Sequence, residues 1–139
     1  MTLDVALVGF GWWGQHIARR LKDNPGFNVK MVVEPAVQAH DAVRDVGLHP
    51  VATYEEALVD GVTAVILTSP NDQHDIQIGQ AVAAGKHVFC EKPLSLTAAG
   101  ARESVRLTQE AGLVLGVGHE RRFEPAILEL RRMLDAGEL

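Results

Sequence analysis

The chain alternates between short, almost wholly apolar runs and longer stretches in which apolar residues recur every three or four positions. The short runs are Val5-Ala6-Leu7-Val8, Val29 to Val33, Ala64-Val65-Ile66-Leu67, His87-Val88-Phe89-Cys90 and Leu113 to Val117. Their length and lack of polar alternation predict strands buried on both faces, as in a parallel sheet. Between the first two runs, Ile17, Ala18 and Leu21 share one side of a predicted helix that stops before Asn24-Pro25-Gly26. Helices are also predicted over 36–46, closed by Gly47, over 54–59 before Asp60-Gly61, from Asn71 to Ala84, and over 98–111 before Gly112. Asn71 has the side chain of an N-cap, and Gly85 suits the left-handed residue that ends a helix. Pro125 opens a last helix that stops at Gly137.

The first strand runs into Gly9-Phe10-Gly11-Trp12-Trp13-Gly14, a G-x-G-x-x-G pattern that in turn opens a helix. Alone the pattern is weak; between a buried strand and a helix it is a dinucleotide-binding loop. Gly9 permits the tight turn, Gly11 lets the backbone approach a pyrophosphate, and Gly14 lets helix and strand pack closely. The helix N-terminus adds free N–H groups and a positive dipole end. Trp12 and Trp13 lie within this loop and read as packing or domain-interface residues rather than as base-stacking ones. With this loop, the strand–helix alternation predicts an α/β fold: a Rossmann doubly wound parallel sheet, three-layer αβα, with strand order 3-2-1-4-5-6. The 139 residues make one domain, 1–139.

Glu34 ends the second strand, 20 residues after Gly14. A carboxylate there accepts hydrogen bonds from the adenosine ribose hydroxyls and repels a 2′-phosphate. Pro35 and Ala36 follow, with no arginine to attract that phosphate, so NAD is expected over NADP. A solvated strand-end glutamate is the plainer alternative.

Bulk properties narrow the function further. The chain is 47% hydrophobic and 22% charged, enough for a real core. Its net charge of −5 and pI near 5.6 offer no basic stripe for nucleic acid and no polybasic membrane surface. No apolar run approaches the ~18 residues of a membrane span. One cysteine, Cys90, excludes an intrachain disulfide and fits a reducing, cytoplasmic setting; it reads as a small core residue. The other histidines, His16, His40, His49 and His87, show no metal-ligand spacing.

Three further segments add a resemblance. They are Ser69-Pro70-Asn71-Asp72-Gln73-His74, Gly85-Lys86-His87-Val88-Phe89-Cys90-Glu91-Lys92-Pro93, and Val117-Gly118-His119-Glu120-Arg121-Arg122-Phe123. With the glycine loop, and in this order, they resemble the Gfo/Idh/MocA family of oxidoreductases, which includes glucose–fructose oxidoreductase and inositol dehydrogenase. The resemblance covers essentially the whole chain. It implies a two-domain subunit in which a larger α+β domain binds substrate, carries an Asp-x-x-x-His pair and builds the oligomer. That second domain is expected to be absent from this chain.

The resemblance also implies roles. Ser69, Pro70 and Asn71 would run along the dinucleotide near the nicotinamide ribose, Asn71 having the capping role as an equal alternative. His74 would hold that loop by hydrogen bonding. Lys92 would lie by the nicotinamide ribose and the reacting hydroxyl, where a cationic neighbour favours the neutral amine, and would help remove the hydroxyl proton. Glu91 would orient Lys92 or bind ribose; a surface ion pair is the plain alternative. His119 and Glu120 depart from the aromatic residue and asparagine of many relatives, which leaves the substrate open. Arg121 and Arg122 would contact substrate or pair with acids of the second domain, or stay solvated. The expected activity is hydride transfer between NAD and a hydroxyl-bearing carbon of a sugar, cyclitol or related polyol; the alternative is a non-catalytic, ligand-sensing NAD-binding module. Trp12, Trp13, Phe123 and the apolar side of 126–134 are expected to be left uncovered, giving self-association or a displaced last helix.

Overall fold

A computed structural model describes residues 2–139. Six strands form one sheet: β1 (Leu3–Val8), β2 (Phe27–Val33), β3 (Pro50–Val51), β4 (Ala64–Leu67), β5 (His87–Cys90) and β6 (Leu115–Val117). Their order is β3-β2-β1-β4-β5-β6, and every neighbouring pair is parallel. The five apolar runs are all strands, with ends moved by a residue or two. β3 is the strand that periodicity does not reveal. It has two residues, begins on a proline, and pairs only with Val32 and Val33. Proline is tolerated at the first position of a strand because the ladder loses little there.

Five helices accompany the strands: α1 (Trp12–Lys22), α2 (His40–Asp45), α3 (His74–Ala83), α4 (Ala98–Glu110) and α5 (Pro125–Asp135). The predicted helix over 36–46 is a 3₁₀ turn, Val37–Ala39, followed by the short α2; the one over 54–59 is only the 3₁₀ turn Glu55–Ala57. Asn71 does not cap α3. It opens a 3₁₀ turn, Asn71–Gln73, closed by the Gln73 N–H donating to the Pro70 carbonyl at 2.9 Å, and Gln73 becomes the cap residue. The extra turn displaces the helix start beyond the reach of the asparagine side chain. Thr97 caps α4 instead, its Oγ1 accepting from the Gly100 N–H at 3.0 Å. Gly47, Gly85, Gly112 and Gly137 end their helices with positive φ, as glycine alone does without strain.

Alternation along β1 divides the core. Val5 and Leu7 pack with Ala18 of α1 and Val43 of α2 on one face; Ala6 and Val8 pack with Ile78 and Ala81 of α3 on the other. The β3–β4 connection adds Tyr54, Ala57 and Val62 to that second face. Cys90 is fully buried there, and burial pushes its thiol up to about 12, with Glu91 adding to the effect. α5 stays clear of the sheet: it has no buried residue, and Ile127, Leu128, Leu130 and Leu134 are all exposed. The last helix is thus displaced from the domain body, one of the two outcomes expected for this face.

Candidate dinucleotide site

The C-terminal ends of β1, β2, β4 and β5 open onto a cleft in two parts. The first, about 790 Å³, is lined by Gly9, Phe10 and Gly11, by Glu34, Pro35 and Ala36 at the end of β2, and by Ser69 and Pro70 after β4. The second, about 350 Å³, is lined by Trp12, Trp13, Ser69, Asn71, His74, Glu91, Lys92 and Glu120. Thr68 and Ser69 border both, so the two parts meet at the end of β4. This is the place where the strand order reverses, and open α/β sheets bind ligands there.

The glycines divide the work as the spacing predicts. Gly9 has φ +94°, and a Cβ on it would fall 2.9 Å from the Thr68 carbonyl oxygen. A Cβ on Gly14 would fall 2.2 Å from the Gly9 carbonyl oxygen, so a side chain there would push α1 off the loop. Gly11 is different, since nothing lies within 4 Å of a Cβ placed on it. Packing does not require Gly11. The open space beside it, at the N-terminus of an 11-residue helix with no side-chain cap, fits a pyrophosphate. Phe10 turns its side chain into the core, where it is 4% exposed.

Glu34 has a second task that its position in the sequence hides. Its Oε2 accepts from the Phe10 N–H at 3.1 Å and its Oε1 from the Ala36 N–H at 3.0 Å. The carboxylate therefore ties the glycine loop to the end of β2 and still has lone pairs free for a ribose. The larger cavity has two carboxylates on its wall, Glu34 and Asp72, and no lysine or arginine. Tyr54, Gln73 and Gln77 also line it; sequence reasoning missed them, because Tyr54 and Gln77 belong to no motif and Gln73 was given no role within its own. The Tyr54 hydroxyl donates to the Gln77 carbonyl at 3.0 Å, and burial raises its pKa well above the ordinary range.

His74 is fully buried between the two loops of the smaller cavity. Its Nδ1 lies 2.8 Å from the Pro93 carbonyl oxygen and its Nε2 3.0 Å from the Ser69 carbonyl oxygen. One imidazole thus links the loop after β4 to the loop carrying Lys92, and the position of its proton decides which carbonyl accepts. Ser69 Oγ donates to Gln77 Oε1, which fixes the same loop against α3. Thr68, also absent from the sequence reading, donates from Oγ1 to the carbonyls of Val8 and Gly9 at 2.9 Å each.

Lys92 is exposed and Glu91 is 9% exposed, so the two side chains part company at the end of β5. No ion pair joins them among the described residues; a surface Glu91–Lys92 pair is not what the structure has. A third cavity, about 340 Å³, is lined by Lys92, His119, Glu120, Arg121 and Arg122. Lys92 and Glu120 belong to both smaller cavities and make them one polar region. Trp12 is 80% exposed, which excludes the packing half of its reading and leaves it uncovered as expected, whereas Trp13 is half-buried; the two rings stack with centroids 5.5 Å apart.

A parallel sheet in this order, with a glycine loop and a strand-end carboxylate flanking its switch point, defines a dinucleotide-binding domain. Residues 3–119 match the Gfo/Idh/MocA model, described as an oxidoreductase family with an NAD-binding Rossmann fold, and the chain belongs to that family. It is 33% identical to scyllo-inositol 2-dehydrogenase (NAD(+)) of Bacillus subtilis strain 168, over 96% of this chain and 40% of that protein. It is 37% identical to 4-carboxy-2-hydroxymuconate-6-semialdehyde dehydrogenase of Sphingobium sp. strain SYK-6, over 99% of this chain and 44% of that one. Among solved structures, GenD2 from gentamicin A biosynthesis in complex with NAD superposes with a TM-score of 0.84 and 32% identity, over 89% of this chain and 36% of that chain. The chain thus spans about two fifths of the length of the curated relatives it matches. No helix among the described residues is long and apolar enough to cross a membrane.

Proposed function

We propose that this chain is the cofactor-binding part of a dehydrogenase that moves a hydride between NAD and a hydroxyl-bearing carbon of a sugar, cyclitol or related polyol. The observation that carries the reading is the two-part cleft: Gly11 and Glu34 on one part, Lys92 on the other, joined through Thr68 and Ser69. The adenosine ribose would take the free lone pairs of Glu34, and the phosphates would lie against Gly11 and the first N–H groups of α1. Two carboxylates and no cation around the larger cavity favour NAD over NADP. NAD, when bound, supplies the hydride acceptor.

The remaining chemistry belongs to the chain. Oxidation of a hydroxyl-bearing carbon requires that the hydroxyl lose its proton as the hydride leaves. Lys92 is the amine available at that end of the cleft, and it would take that proton or hold the alkoxide. Ser69, Pro70 and Asn71 would carry the ribose and His74 would hold their loop. His119, Glu120 and Arg121 would face substrate, whose remaining walls would come from a following α+β domain. Lys92 is tested in the longer protein. Lys92→Met should lower kcat about a hundredfold or more, the usual share of a general base, with NAD affinity changed less than about threefold. Unchanged turnover would remove Lys92 from the reaction.

A further inference from the structure

One polar side-chain atom of the smaller cavity is buried without a partner: Trp13 Nε1, on the first turn of α1. Glu91, at the end of β5, is 9% exposed, and its carboxylate takes no hydrogen bond within the described residues while keeping some contact with solvent. Both are held in place. The Trp13 ring clusters with those of Trp12 and His16, its centroid 5.5 and 5.2 Å from theirs. Glu91 lies over Gly118 so closely that a Cβ there would fall 2.6 Å from its Oε1. A buried N–H or carboxylate left unpaired costs more than a typical hydrogen bond contributes, so such groups are satisfied in the working state of a protein. A buried donor without a partner and a carboxylate without a protein partner line one cavity, and a ligand offering the opposite pair side by side would satisfy both.

A primary carboxamide is such a ligand: its carbonyl accepts and its NH₂ donates. We propose that Trp13 Nε1–H and the Glu91 carboxylate form the recognition pair for the carboxamide of the nicotinamide ring. The indole donates to the amide oxygen and the carboxylate accepts from the amide nitrogen. The adenine, the other group of the dinucleotide with adjacent donor and acceptor, belongs to the larger cavity beside Glu34. The pairing also explains why Glu91 turns away from Lys92: one residue holds the ring while the other is left free for the hydroxyl. This inference rests on the dinucleotide reading of the cleft.

The chain has two tryptophans, so its indole N–H region in a ¹⁵N-correlated spectrum holds two signals, and Trp13→Phe identifies one of them. NAD should move the Trp13 signal, while ADP-ribose, which lacks the nicotinamide, should leave it in place. By calorimetry, Trp13→Phe and Glu91→Met should each weaken NAD by about three- to tenfold, the worth of one hydrogen bond. Both should bind ADP-ribose as the wild type does, which also shows that they fold. The wild type should prefer NAD to 3-acetylpyridine adenine dinucleotide, which lacks the amide nitrogen, and Glu91→Met should narrow that preference. If NAD and ADP-ribose shift the Trp13 signal alike, or if the variants weaken both ligands equally, the carboxamide pair is wrong and the cleft reading stands. If neither ligand binds the wild type, the cleft reading falls and this inference with it.

Discussion

Three glycines in one loop carry three different constraints, and the structure separates them. Gly14 is required by the fold, because a Cβ would meet the Gly9 carbonyl at 2.2 Å. Gly11 is not required by the fold, because a Cβ there meets nothing within 4 Å and its φ of −64° suits any residue; the proposed function makes phosphate contact its reason. Gly14→Ala should therefore destabilise the chain by about 1–3 kcal/mol, the range for overpacking. Gly11→Ala should cost less than about 1 kcal/mol, the scale of a changed N-cap, yet weaken NAD tenfold or more. Urea denaturation with NAD titration reads both. Equal losses of stability in the two variants would show that Gly11 serves packing rather than phosphate.

The turn at Gly9 and the close packing at Gly14 were legible in the sequence because each follows from a fixed offset between strand and helix. His74 was read as holding the loop after β4, but its reach to the Lys92 loop, and the tie from Glu34 to the glycine loop, were not legible. Each depends on partners brought together by folding, Phe10 across 24 residues and Pro93 across 19. Asn71 shows the opposite failure: the right side chain stands in front of a helix, but an intervening 3₁₀ turn places the cap elsewhere.

At the scale of elements, strands were read more reliably than short helices. An apolar run of four residues reports burial on two faces directly. The 3₁₀ turns at 37–39 and 55–57 carry the same residues as short helices and differ only in hydrogen bonding, which composition does not encode. α5 was correctly bounded by Pro125 and Gly137, and its relation to the sheet is the informative feature. Ile127, Leu130 and Leu134 recur at helical spacing yet are 41%, 44% and 57% exposed. On the side of the sheet facing α1, an apolar groove of about 370 Å³ lined by Ile17, Ile66 and Phe89 is open as well. Apolar surface of this extent favours association in water. The isolated chain is expected to self-associate reversibly, with a sedimentation coefficient that rises with concentration, and Leu130→Glu with Leu134→Glu should return it to monomer. A wild-type chain that stays monomeric at about millimolar concentration would contradict this.

For the molecule as a whole, the fold and the site are one consequence of strand order. Placing β1 between β2 and β4 brings the glycine loop, Glu34 and the loop after β4 to a common edge, and β5 delivers Glu91 and Lys92 beside them. The polarity of that edge differs along its length: Glu34 and Asp72 with no cation in the larger cavity, and Lys92, Arg121 and Arg122 among Glu91 and Glu120 in the smaller ones. The central claim is that the larger cavity takes an adenosine with an unphosphorylated ribose, held by Glu34. Calorimetric titration of the chain with NAD and with NADP tests it most directly. NAD should bind more tightly by several-fold to a hundredfold, about 1–3 kcal/mol for a 2′-phosphate forced against a carboxylate, and Glu34→Gln should shrink the difference. NADP binding as tightly as NAD, or neither dinucleotide binding at all, would contradict the account.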